Sequence, residues 1–140
     1  MGREMRGGLV SVSEVKEMVL ESGTLISVSE IARLSETSIQ SARSMTARWK
    51  KSEKIFALKV GRKNYFPLYA LDPQSNCKPL PSIHQIIKIL SVKMGPWQMA
   101  FWFICASRFL QGKTPSVLVS SDPDLVIASA QFEIDGWLHG

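Results

Sequence analysis

Two short helical patterns, each with its own cap, precede a basic, glycine-turned hairpin between residues 27 and 67, an order that few folds accommodate. Ser27 and Glu30 have capping-box spacing, in which the hydroxyl accepts a free helix-start N–H and the carboxylate reaches back. Ile31, Ala32 and Leu34 supply an inward face before a polar break at Ser35 and Glu36. The next pattern opens at Thr37, with Gln40 three positions on, and runs to Lys51. Its apolar positions Ile39, Ala42, Met45 and Trp49 stay on one side as the helix turns. Ser38, Gln40, Ser41, Arg43, Ser44 and Arg48 fall on the other. Residues 55–60 favour a strand. Gly61 and Asn64 tolerate the backbone of a tight reversal, which places Arg62 and Lys63 at its tip. Tyr65 and Phe66 begin the return strand, and Pro67 limits its pairing.

Charge singles out the same segment. From Arg43 to Lys63 eight basic residues (Arg43, Arg48, Lys50, Lys51, Lys54, Lys59, Arg62, Lys63) face one acid, Glu53. From Pro73 onward five basic residues meet four acidic ones, so the positive field of this +5 chain is local. A capped helix pair with a basic hairpin is the pattern of a winged helix-turn-helix, and the charge favours double-stranded DNA as its partner. Ser38, Gln40, Ser41 and Arg43 are then the candidates for base edges, where Gln pairs with adenine and Arg with guanine. Arg48, Lys50, Arg62 and Lys63 suit phosphates, with Ser44 and Lys51 beside them. The competing expectation is a protein-docking winged helix that leaves DNA alone.

The remainder reads as helices. Ser11 and Glu14 open a first amphipathic helix carrying Val12, Val15, Met18 and Val19, which Gly23 ends. Residues 1–10 lack a period and read as a tail. Prolines concentrate in residues 73–81, which reads as a linker. Beyond it, Ser82 caps a helix bearing Ile83, Ile86, Ile87 and Leu90. Pro96 then starts a helix, over residues 97–109, that is apolar nearly all round and must be covered by its own chain or a partner. Thr114 with Pro115, and Asp122 with Pro123, begin two more. The last runs to about Glu133 and carries Leu125, Val126, Ala128 and Phe132. The expected architecture is mainly α with a small β-hairpin wing. A winged helix-turn-helix over residues 11–72 and a linker over 73–81 precede an all-helical module over 82–140.

Chemistry is sparse. His84 and His139 belong to no metal-ligand spacing, no Gly-x-Ser-x-Gly elbow exists, and no phosphate-binding glycine pattern appears. An enzyme, a metal site and a cofactor are therefore not expected. Cys105 reads as a buried apolar residue and Cys77 as a linker thiol. The most apolar stretch, residues 99–106, is far short of the ~20 residues that span a bilayer, so no membrane role and a cytoplasmic setting are expected.

Over residues 95–140 the chain resembles the toxin-binding domain of Xre/MbcA/ParS-type antitoxins. The resemblance rests on Trp97 and Trp102, then on Leu110, Gly112, Thr114, Pro115 and Leu118, then on Asp122, Pro123 and Val126. Gln111 stands where that family usually has a second glycine, and its DNA-binding domain is usually wingless. The resemblance implies an antitoxin-like repressor, acting as a homodimer, whose helical module binds a RES-type toxin or itself. It carries partner contact onto Trp97, Trp102, Gly112, Lys113, Pro115, Trp137 and His139.

Overall fold

Serine hydroxyls start the first three helices. A computed structural model describes residues 11–139, with side chains to residue 136, so the expected tail at 1–10 lies outside the described residues. Helix α1 (Val12–Glu21) begins where Ser11 Oγ accepts the Glu14 amide at 3.1 Å. Helix α2 (Val28–Leu34) has the full box: Ser27 Oγ accepts the Glu30 amide at 3.2 Å, and Glu30 Oε1 accepts the Ser27 amide at 3.3 Å. Helix α3 (Ile39–Lys51) is capped by Ser38 rather than Thr37, through the Ser41 amide at 3.1 Å. The Thr37 amide closes the corner instead, donating to the Ala32 carbonyl at 2.9 Å, and the residue's Oγ1 is buried away from the helix start. Leu34 and Ile39, expected inside, are exposed. They flank the α2–α3 corner, whose inner side is taken by Ile31, Ala32 and Ala42.

Three short strands, β1 (Leu25–Ser27), β2 (Leu58–Val60) and β3 (Lys63–Pro67), form an antiparallel sheet in the order β1-β3-β2. Leu25 pairs with Pro67, Ile26 with Phe66 and Val60 with Lys63. Strand β2 is shorter than expected because Ile55, Phe56 and Ala57 enter the core without a ladder partner. The reversal takes only two residues. Gly61, at φ 63°, occupies the first central position, where a II′-type turn needs positive φ. Arg62 therefore stands alone at the tip, while Lys63 and Asn64 belong to β3.

The stretch expected as a linker is an ordered ribbon. Strands β4 (Leu71–Asp72) and β5 (Lys78–Pro79) pair antiparallel around a short 3₁₀ turn, which Asp72 caps through the Gln74 amide at 3.0 Å. The Leu80 amide then donates to the Ala70 carbonyl at 2.8 Å. This fold-back buries Cys77, while Cys105, at the end of a helix, is only half-buried. Cys77, expected as a linker thiol, is thus the more buried of the two, while Cys105 packs only partly against the core.

Helix α4 (Pro81–Leu90) starts with Pro81 at its first position. Ser82, expected as its cap, is a buried helical residue beside Ile83, Ile86, Ile87 and Leu90. Helix α5 (Pro96–Ile104) stops well before Phe109, which lies in the following loop. A short α6 (Pro115–Leu118) leads to α7 (Pro123–His139), where Asp122 Oδ1 accepts the Leu125 amide at 3.4 Å. Helix α7 extends past the expected end at Glu133. Of its apolar residues it buries Val126, Ala130 and Ile134, while Leu125, Ala128 and Phe132 remain exposed.

All described parts share one core. Helix α5 packs on α1 and α4 packs on α7. Phe103, with no exposed surface, meets Phe56 (centroids 6.1 Å), Tyr69 (4.7 Å) and Trp102 (5.1 Å, edge-on). The aromatic helix is therefore hidden by its own chain. At its edge the Lys16 ammonium lies 5.4 Å from the Trp97 ring, a cation–π contact joining α1 to α5. Tyr69 lends only its ring; its hydroxyl is buried without a partner among the described residues, and burial raises its pKa well above the usual tyrosine value.

Truncating Phe103 to Ala should cost about 3–5 kcal/mol. Because Phe103 is shared by both halves, circular dichroism and intrinsic fluorescence should still report one coincident unfolding transition at a lower midpoint. Cys105 offers a second check. Burial, with Glu133 adding negative charge, pushes its thiol up to about 11. In Cys77→Ala protein, alkylation of Cys105 should accelerate with pH until about pH 11 rather than level off near 9. Glu133→Gln should move that profile downward.

Candidate nucleic-acid interface

The corner between α2 and α3 sets how α3 stands. The chain turns through Ser35, Glu36 and Thr37, held by the Ser35 amide on the Ile31 carbonyl and the Thr37 amide on the Ala32 carbonyl, both 2.9 Å. Glu36 adopts φ 54°, a left-handed conformation costly for a residue with a Cβ. Ser35 Oγ and Thr37 Oγ1 are buried with no hydrogen-bond partner among the described residues. The turn therefore carries strain and orphaned hydroxyls, and the two packed helices hold it in place.

The inward face of α3 is narrow. Ala42 and Thr46 are buried, while Met45 and Trp49 are half-buried. Thr46 does not belong to the apolar pattern, yet it packs inside because its Oγ1 donates to the Arg43 carbonyl at 3.2 Å. Small residues bring α3 close to α2 and leave most of its circumference outside.

That outer circumference holds Ser38, Gln40, Ser41, Arg43, Ser44, Arg48, Lys50 and Lys51, all exposed. Thr37, Gln40, Ser41, Ser44, Met45 and Arg48 line one open groove along it. Their three- and four-residue spacing makes a single stripe. Arg43 falls outside that lining, on a flank it shares with Lys50 seven positions on. Ser38 is committed to structure: its Oγ accepts the Ser41 amide and donates to Ser41 Oγ at 3.0 Å. Gln40, Ser44 and Arg48 keep their polar groups unengaged among the described residues. The cations Arg48, Lys50 and Lys51 also sit in the last turn of α3, where the helix dipole favours positive charge. Lys59, Arg62 and Lys63 of the hairpin are exposed as well.

The far end of α3 is fixed by a residue whose role was not readable from its neighbours in sequence. His84, on α4, donates from Nδ1 to the Glu53 carbonyl at 3.0 Å, just beyond the helix. Glu53 itself has φ 57°. A lone histidine near a helix start carries no signal of a carbonyl 31 positions earlier.

The second residue set divides differently. Trp97 is half-buried under Lys16, Trp102 is buried against Phe103, and Pro115 is buried at the start of α6. These hold the fold together. Gly112, at φ 85°, and Lys113 are exposed on the loop before α6. The side chains of Trp137 and His139 lie outside the described residues. Among the described residues, no group of three or more His, Cys, Asp or Glu side chains could hold a metal ion, and no helix is long and apolar enough to cross a membrane.

No known protein family, curated protein or solved structure matches the chain.

Glu36→Gly should relieve the left-handed strain and raise stability by about 0.5–1 kcal/mol. Thermal melting of the full chain checks this, with the helical signal of α3 unchanged.

Proposed function

We propose that residues 11–72 form a winged helix-turn-helix that binds double-stranded DNA, and that the protein is a cytoplasmic, antitoxin-like transcriptional repressor. The observation that carries this reading is the open groove along α3. It offers Gln40, Ser44 and Arg48 unengaged, on a helix whose opposite face is fixed to the core. Gln and Arg are the side chains that read adenine and guanine by paired hydrogen bonds in the major groove. The small antiparallel sheet β1-β3-β2, with α2 and α3 inserted before the hairpin, supports this reading. Arg43 and Lys50 on the flank, with Arg62 and Lys63 on the hairpin, suit phosphates.

A second reading places the main contact in the C-terminal helices, against a RES-type toxin. It draws on the exposed Gly112 and Lys113 loop, the part of the antitoxin resemblance left on the surface. The burial of Trp102 and Pro115 removes those side chains as contacts, which weighs toward DNA.

Selection of bound sequences from a random duplex pool, followed by fluorescence anisotropy, tests the proposal. Gln40→Ala with Arg48→Ala should weaken the selected site by 1–3 kcal/mol per lost base contact, roughly. Lys50→Ala and Arg62→Ala should weaken all sequences alike and flatten the salt dependence by about one unit each. Undiminished, sequence-independent binding in the Gln40/Arg48 variant would sink the recognition-helix reading.

A further inference from the structure

We infer, resting on the DNA-binding reading of α3, that Met45 reads the methyl group of a thymine beside the guanine that Arg48 reads. The helical period counts Met45 with Ile39, Ala42 and Trp49 as an inward residue. The structure divides that set. Ala42 is buried and Trp49 packs against the core, whereas the half-buried Met45 lines the open groove with Ser41, Ser44 and Arg48.

The groove is built as two rows. Gln40, Ser44 and Arg48 recur every four residues along one, and Thr37, Ser41 and Met45 along the other. The first row begins and ends in side chains that hydrogen-bond in pairs. The second begins and ends in apolar groups. Thr37 lines the groove although its Oγ1 is buried, so it presents its methyl side rather than its hydroxyl. Between them Ser41 Oγ already accepts from Ser38 Oγ at 3.0 Å. The row that holds Met45 is therefore the less polar half of the groove.

This chemistry selects what Met45 meets. The major-groove edges of B-DNA carry hydrogen-bonding groups and one apolar group, the C5-methyl of thymine. An unbranched, polarizable thioether adapts its shape to such a methyl, and covering the pair removes apolar surface from water. Arg48 in the groove, with Arg43 and Lys50 on its flank, favours a phosphate-bearing duplex as the carrier of that methyl. Met45 stands three residues before Arg48, about 4.5 Å along the helix axis. A base step is about 3.4 Å. With α3 lying along the groove, the methyl belongs to the pair next to the guanine.

Deoxyuridine substitution in the selected duplex tests this with the full chain, one thymine at a time. It removes the methyl and leaves every hydrogen-bonding group in place. Wild-type protein should lose about fourfold in affinity at the thymine next to the guanine, the worth of one buried methyl group. Met45→Ala and the similarly long Met45→Gln should bind the thymine and deoxyuridine duplexes alike. Their circular dichroism should match the wild type, because Met45 faces the groove. Wild-type affinity that ignores deoxyuridine at every thymine overturns the assignment, as does a Met45→Ala protein that keeps the full thymine preference. In either case the reading of α3 stands if Gln40→Ala with Arg48→Ala still loses the selected site. Binding without any sequence preference overturns both.

Discussion

Phe103 ties the two ends of the chain into one core. Its ring, carried on α5, is enclosed by Phe56 from the lead into β2, Tyr69 from the turn after β3, and its own neighbour Trp102. Neither half buries this surface alone. The small sheet has only three short strands, and a hairpin of that size is marginal without packing against helices. The exposed hairpin tip therefore stands on a base that α5 completes, reinforced where Lys16 covers Trp97.

The same logic positions α3. Its inner face is too narrow to anchor a helix by hydrophobic area alone, with only Ala42 and Thr46 fully inside. Position comes from close packing on α2 through those small residues, with the corner at Glu36 at one end and the His84 contact with Glu53 at the other. A helix packed along one narrow face leaves a wide surface for contact. That surface is where Gln40, Ser44 and Arg48 collect. The C-terminal helices supply α4 and its histidine, so they brace the proposed reading head as well as offering a face of their own.

Much of the local structure was legible. Ser11 and Ser27 with Glu30, Gly61 in the turn, and Pro96, Pro115 and Pro123 at helix starts follow from backbone chemistry acting within a few residues. Two expected caps went to close neighbours in sequence. Thr37 lost the cap to Ser38 because its hydroxyl is buried in the corner, where it meets no amide among the described residues. Ser82 lost it because Pro81 already suits the first helical position. The all-round apolar pattern of α5 predicts that it needs cover, and α5 finds that cover in a half of the chain that sequence proximity does not reveal. Helix α7 keeps Leu125, Ala128 and Phe132 exposed. Within the candidate interface, the exposed polar residues of α3 were readable from period alone, whereas the flank position of Arg43 became visible only in the groove's lining.

By itself the sequence determined the elements, their caps and turns, and the concentration of positive charge between Arg43 and Lys63, because each depends on interactions a few positions apart. Tertiary structure decided which apolar surfaces met. It folded the proline-rich stretch into a ribbon that buries Cys77, placed Trp97, Trp102 and Phe103 against the N-terminal half, and left Phe109 and Phe132 in solvent. Burial of apolar area has no direction and no sequence range, so the pairing of surfaces depends on the whole chain closing at once.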